Sequence, residues 1–228
     1  MSLPPPAPAP QLNRLVYREP QLGRDYWVLD DALPDPMAVR ERALARQDWT
    51  LGAPHRPESW PGMRAQPALL DAELAPLEQW MLKQTGRKKV FRPTVAAADQ
   101  LNHNCVQLVS VAEGRIRPHT DSRALCTYAG VLYLSPDIPI HAGTAFYRVR
   151  HPDGRPGGNC VPSRFANLVE ALGTRFVPPD LFEPDVAVDA RFNRLLVYLA
   201  DLIHSASAYF GEALADRRMT AVFFWMAR

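Results

Sequence analysis

Past Val90 the chain becomes a succession of short apolar runs, and this texture restricts the fold more than any other feature. The runs are rich in Val, Leu, Tyr and Phe and are broken by Gly, Pro and Asp. That pattern predicts strands over Asn104–Ser110, Tyr128–Leu134, Thr144–Arg150, Arg194–Leu199 and Met219–Met226. One helix interrupts them. Ser163 is its predicted cap, Phe165, Leu168, Val169 and Leu172 make its stripe, and Gly173 ends it. Ahead of Val90 the pattern is different. Tyr26–Leu29 reads as a strand. Asp35-Pro36 offers an N-cap and a first-turn proline for a helix running to about Gln47. Between Pro67 and Gln84, Leu70, Leu74, Leu77 and Met81 fall on one helical stripe, with Pro76 predicting a kink or two short helices. Helices first and strands later imply a mostly β fold, a sheet sandwich buttressed by N-terminal helices.

A chain of 228 residues suits one large domain. The proline-rich start, residues 1–14, is read as an extended leader. It lacks the basic region and apolar core of a secretory signal. Residues 15–228 then form a single domain, with a helical part over 15–90 and a strand-rich core over 91–228. A net charge of +2 implies no general attraction to nucleic acid or membrane. The one compact basic run, Arg87-Lys88-Lys89, reads as a solvated turn. No apolar stretch approaches the roughly 18 residues of a membrane span. The three cysteines, Cys105, Cys126 and Cys160, form no C-x-x-C pair and no disulfide framework, which points to a reduced, cytoplasmic compartment.

Chemistry concentrates around Pro118-His119-Thr120-Asp121. On an extended segment, residues two apart point to one side, so His119 and Asp121 can converge on a metal ion. Two histidines and one carboxylate with open positions form the facial triad of non-haem Fe(II) oxygenases. Five other histidines can complete it: His55, His103, His141, His151 and His204. His204 is best placed, because it ends the apolar run Arg194–Leu199 and its short extension. Fourteen residues later, Arg218-Met219-Thr220 opens a strand and again sets two polar side chains on one face. A guanidinium grips a carboxylate with two parallel hydrogen bonds, and a neighbouring hydroxyl adds a third. Arg217 has the opposite parity.

In order, His119-x-Asp121, Tyr128-Ala-Gly-Val-Leu-Tyr-Leu-Ser135, Gly143-Thr-Ala-Phe-Tyr147, Asn193-Arg194 with His204-Ser-Ala, and Arg218-x-Thr220 resemble the 2-oxoglutarate/Fe(II)-dependent dioxygenases. The prolyl-hydroxylase-like branch is nearest in texture, and the resemblance spans Asn104 to Trp225. It implies a double-stranded β-helix, the jelly roll or cupin-like fold. It implies His119, Asp121 and His204 as iron ligands, Arg218 and Thr220 on the distal carboxylate of 2-oxoglutarate, and Tyr133 as a further hydroxyl there. The implied reaction consumes 2-oxoglutarate and O2, releases succinate and CO2, and oxidises a substrate C–H bond. A small residue replaces the carboxylate in the related halogenases, so Asp121 points to hydroxylation, with desaturation and ring formation left open. This chain departs from the branch at Ser135, where Asn is usual, and at Ala142-Gly143, where Gly-Gly is common.

Gln107, Arg117 and Arg123 lie near the iron motif and are candidates to meet the substrate. Near-neutral charge and one compact domain favour a small molecule, such as an amino acid or a natural-product intermediate. The proline-rich stretch 151–188 is expected to form a lid or substrate-facing insert. Two other readings stay open: a cupin-like metalloenzyme that does not use 2-oxoglutarate, and a non-catalytic jelly roll that binds a ligand. Nothing in the sequence fixes an oligomeric state.

Overall fold

Two antiparallel sheets face each other and carry the strand-forming runs. A computed structural model describes residues 8–51, 61–91, 103–175 and 177–228. His55 and residues 1–7 of the leader fall outside that set. In chain order the elements are β1 (Tyr26–Leu29), α1 (Pro36–Leu44), β2 (Thr50–Leu51), β3 (Met63–Ala65), α2 (Asp71–Thr85), β4 (Val90–Phe91) and β5 (Cys105–Val109). Then come β6 (Tyr128–Tyr133), β7 (Thr144–Val149), α3 (Leu168–Leu172), β8 (Phe182–Val188), β9 (Leu195–Leu199), β10 (His204–Ala206) and β11 (Arg218–Ala227). The larger, 8-stranded sheet runs β1-β9-β6-β11-β5-β3-β2, with β4 on the far half of β11. The smaller, 3-stranded sheet runs β10-β7-β8. This is the double-stranded β-helix.

Strand alternation divides the interior into three layers. On β11, Met219, Ala221, Phe223 and Trp225 face α1 and α2 and pack with Leu74, Leu77 and Met81. The intervening side chains of β11 face the smaller sheet. On β6 and β9, Ala129, Tyr133, Leu196 and Tyr198 fill the space between the sheets with Phe146. Beyond the smaller sheet, Leu12, Leu15, Leu168 and Leu172 cover Ala145, Tyr147 and Val149. Leu12 is therefore buried ahead of the start expected at Leu15, and the Gln11 N–H ties the segment to the Leu172 carbonyl at 2.9 Å.

Local signals explain most helix ends. Asp35 caps α1 by accepting from the Ala38 N–H at 2.9 Å. The helix stops at Leu44, short of Gln47. α2 is one helix through Pro76. An interior proline costs about 3 kcal/mol, but burying Leu74, Leu77 and Met81 returns roughly 1.5–3 kcal/mol each. Gly86, at φ 67°, ends it. α3 is shorter than expected: Asn167, not Ser163, is its cap, accepting from Glu170 N–H at 3.0 Å.

Two expectations need correction. The stretch 151–188 is not wholly a lid, because Phe182–Val188 is a strand of the smaller sheet. Its Pro184 hid it. That proline is tolerated because β8 is an edge strand and the register slips opposite Phe146 and Tyr147. The N-terminal part is not only a helical buttress either, since β1, β2 and β3 extend the larger sheet at both ends. Elsewhere, Lys88 and Lys89 donate backbone N–H groups to the Arg228 carbonyl, so the basic run anchors the end of β11. No helix among the described residues is long and apolar enough to cross a membrane, and the three cysteines are free and buried.

Gly130 carries a packing constraint. A Cβ there would lie 2.6 Å from the Trp225 ring, which is stacked on Phe223 at 5.1 Å and hydrogen-bonded to Glu78. The ring has nowhere to move. We expect Gly130→Ala to destabilise the fold by about 1–3 kcal/mol through overpacking, read as a lower urea midpoint. An unchanged midpoint would show that the aromatic layer yields freely.

Candidate metal centre

His119 and His204 are brought together by the backbone before their side chains are considered. The His119 N–H donates to the His204 carbonyl at 3.0 Å, and the His204 N–H donates back to the His119 carbonyl at 2.8 Å. This reciprocal antiparallel pair puts the two Cα atoms roughly 5.5 Å apart with side chains on one face. The imidazole centroids are 4.4 Å apart. His204 is in turn fixed on β10, paired with Phe146 of β7. Asp121 follows with the same parity as His119. Thr120, between them, points the other way, and its hydroxyl accepts from the Leu168 N–H at the start of α3. One ligand-type atom from each of His119, Asp121 and His204 lies within 4.8 Å of the others. Among the described residues no other group of three His, Cys, Asp or Glu side chains converges in this way. His141 is exposed, and His103 accepts from the Phe224 N–H on another strand.

The tautomers follow from the partners. Nδ1 of His119 lies 2.8 Å from the Arg117 carbonyl, and Nδ1 of His204 lies 2.9 Å from the Leu202 carbonyl. A carbonyl only accepts, so each Nδ1 carries the proton and each Nε2 presents a lone pair. Burial pushes both imidazoles down to about 4, for His119 helped by the neighbouring His204. Burial also lifts Asp121 to about 6. The His204 Nε2 to Asp121 Oδ2 distance of 3.6 Å is too long for a hydrogen bond, and a neutral imidazole makes no ion pair. Asp121 Oδ2 is buried with no hydrogen-bond partner. A buried carboxylate oxygen without a donor is unfavourable, and a divalent cation held jointly by the three side chains would satisfy it. The donor set of two neutral imidazoles and one carboxylate fits Fe(II).

Facing this group across the cavity is Arg218, 5% exposed. Its guanidinium lies between the rings of Tyr133 and Tyr209, at 5.6 and 5.7 Å. Nε and Nη2 donate to the Ala142 and Gly143 carbonyls at 3.3 Å. No carboxylate among the described residues pairs with it, so its remaining donors are open to a ligand. Gly143 is required here, since a Cβ would collide with the Val188 carbonyl at 2.0 Å. Thr220 shares the face of Arg218, and its hydroxyl is buried without a partner. Arg217 points outward to Glu113 at 3.6 Å. The departures from the family pattern are absorbed locally: Ala142 and Gly143 supply carbonyls to Arg218, and Ser135 clamps the entry of β11 through Met219 N–H and the Arg217 carbonyl.

The other named residues divide. Gln107 lines the cavity. Tyr133 does not: its hydroxyl meets Thr144 Oγ1 at 2.9 Å, and Thr144 is the residue that lines the wall. Arg117 is exposed and borders an adjoining groove, where its N–H is held by Ser205 Oγ. Arg123 turns away and pairs with Asp201 at 2.9 Å. Sequence reasoning missed Arg64, Tyr198 and Tyr209, which also line the cavity. Arg64 sits on a three-residue strand and Tyr209 in a loop, so neither had a periodic signal around it.

The family described as "Family of unknown function (DUF6445)" matches residues 10–224. The chain belongs to that family. No curated protein matches the sequence. Among solved structures, the family's fold in this chain is similar to the non-heme alpha ketoglutarate dependent carbocyclase SnoK from nogalamycin biosynthesis. The TM-score is 0.53 at 15% identity, over 90% of this chain and 80% of that one. A Pseudomonas putida prolyl-4-hydroxylase aligns with a TM-score of 0.47 at 15% identity, over 90% of this chain and 94% of that one. The likeness to SnoK is one of fold.

Arg123 supplies a direct test of its structural placement. Removing its charge leaves Asp201, 7% exposed, with Arg18 as its other partner. Because Arg123 is about a third exposed, the expected loss for Arg123→Gln is only about 1 kcal/mol, measured by urea denaturation. No loss would mean that the pair does not tie the two segments it joins.

Proposed function

We propose that this protein is a 2-oxoglutarate- and Fe(II)-dependent dioxygenase, of the prolyl-hydroxylase-like branch, that hydroxylates a C–H bond of a small molecule. The observation that carries the reading is the pairing of two sites in one cavity. A partnerless buried Asp121 oxygen sits with two Nε2 lone pairs on one side, and a buried Arg218 with no carboxylate partner among the described residues stands on the other. The fold shared with SnoK supports it.

His119, Asp121 and His204 would hold Fe(II) and leave one face of it open. Arg218, with Thr220 beside it, would bind the distal carboxylate of 2-oxoglutarate. When bound, Fe(II) with 2-oxoglutarate and O2 supplies the oxidising chemistry, and succinate and CO2 are the by-products. The chain's own work is placement. Burial keeps both imidazoles neutral, and the two backbone carbonyls on the Nδ1 atoms fix the tautomer that leaves each Nε2 lone pair free. The Tyr133 and Tyr209 rings pack near the guanidinium. Val131, Val222 and Phe224 line the wall and keep water sparse. Asp121 keeps the third protein ligand in place, which favours hydroxylation over halogenation.

Anaerobic titration with Fe(II) and then 2-oxoglutarate tests this reading. We expect about one Fe(II) per chain, abolished uptake in His119→Ala and Asp121→Ala with the fold retained, and succinate release on adding O2. A protein that takes up Fe(II) but neither binds nor turns over 2-oxoglutarate would be a cupin-like enzyme instead. One that takes up no Fe(II) would be a binding module. For Arg218→Ala, loss of a charged hydrogen-bonding group should raise the KM for 2-oxoglutarate by about 10- to 100-fold. An unchanged KM would remove Arg218 from the cosubstrate site.

A further inference from the structure

Two guanidinium groups line the cavity, and the proposed function uses one of them. The other is Arg64. The register of the larger sheet sets Arg64 opposite Gln107 and Gln107 opposite Thr220. Directly opposed residues share a face, so these three form one row that looks into the cavity. Strands lie about 4.8 Å apart, which starts Arg64 about 10 Å from Thr220, on the side away from β6. Arg64 lines the same cavity as His119, Asp121 and His204.

Among the described residues Arg64 has no counter-charge. Its Nε is buried and makes no hydrogen bond. The groups with an acidic proton that it feels are the Cys105 thiol and the Tyr209 phenol. Burial pushes the thiol up to about 11 and raises the phenol as well, so both are neutral near pH 7. Burial accordingly disfavours the Arg64 charge. Arg64 is half-buried, and a cation drawn part-way out of water with no anion among the described residues is an unfavourable arrangement unless a ligand supplies the partner. Gln107 adds a donor beside it, held only loosely by the Pro61 carbonyl at 3.4 Å.

We propose that Arg64, with Gln107, binds a carboxylate of the molecule that is oxidised, and that this substrate is a small carboxylic acid. The proposal rests on the 2-oxoglutarate reading, in which the metal and Arg218 account for both carboxylates of the cosubstrate. One guanidinium balances one negative charge. A phosphate monoester brings close to two and three acceptor oxygens, more than this end of the cavity matches.

The test starts from the protein loaded anaerobically with Fe(II) and 2-oxoglutarate, whose metal-to-cosubstrate absorption reports cosubstrate binding. Free amino acids and short carboxylic acids are then added, each beside its primary amide, together with small phosphate monoesters. We expect at least one acid to perturb the absorption and to stimulate succinate release about tenfold more than its amide. Arg64→Gln should weaken that acid by about tenfold or more while 2-oxoglutarate affinity stays within about twofold, and Arg64→Lys should fall between. The preserved absorption shows that the variant is folded. Acids no better than amides, a preference for phosphate esters, or no responding compound would overturn the proposal while leaving the cosubstrate reading intact. A tenfold loss of 2-oxoglutarate affinity in Arg64→Gln would also overturn it, by giving Arg64 to the cosubstrate. No cosubstrate absorption in the wild type would overturn the dioxygenase reading itself, and this proposal with it.

Discussion

The reciprocal backbone hydrogen bonds between His119 and His204 are the constraint on which the site depends. They join segments that lie far apart in sequence and fix both imidazoles on one face by strand geometry alone. Side-chain packing is then left with the smaller task of aiming each ring. The Arg117 and Leu202 carbonyls do that through Nδ1. A site built from backbone pairing tolerates variation around it, since few of its defining contacts depend on a neighbouring side chain.

A second tie runs behind the first. Arg123 lies two residues after Asp121, and Asp201 lies three before His204, so their ion pair joins the same two segments again. Arg18 adds the N-terminal segment to that carboxylate. The substrate role expected for Arg123 is thus replaced by a structural one. Proximity in sequence and shared parity with His119-x-Asp121 put Arg123 near the site, but the chain leaves its extended course at the turn that begins at Arg123, and the side chain pairs with Asp201 instead.

Much of this was legible in the sequence, for a physical reason. Arg218 and Thr220 lie on a strand and His119-x-Asp121 on an extended segment bridged to β10, and period-two alternation tells which residues share a face. Gly173 ended its helix because left-handed backbone favours glycine. What was hidden has causes of the same kind. β8 carries a proline that edge strands accept and central strands refuse. Pro76 sits inside α2 because buried side chains outweigh a local propensity. Arg64 could not be found, because its neighbours in the site, Gln107 and Thr220, come from strands remote in sequence.

That last case bears on how the cavity acquires selectivity. The double-stranded β-helix supplies His204 from β10 and Arg218 from β11, and pairs the His119 segment to β10. β3 is an addition at the flank of the larger sheet, three residues long, docked on β5. Gly62 lets it dock, since a Cβ there would meet the Leu108 carbonyl at 2.1 Å. A short strand attached this way can be exchanged or altered without disturbing the hydrogen bonds that assemble the metal ligands. Separating the groups that hold the metal from those that read the substrate in this manner lets one scaffold keep its chemistry while its flanking strand changes what it accepts.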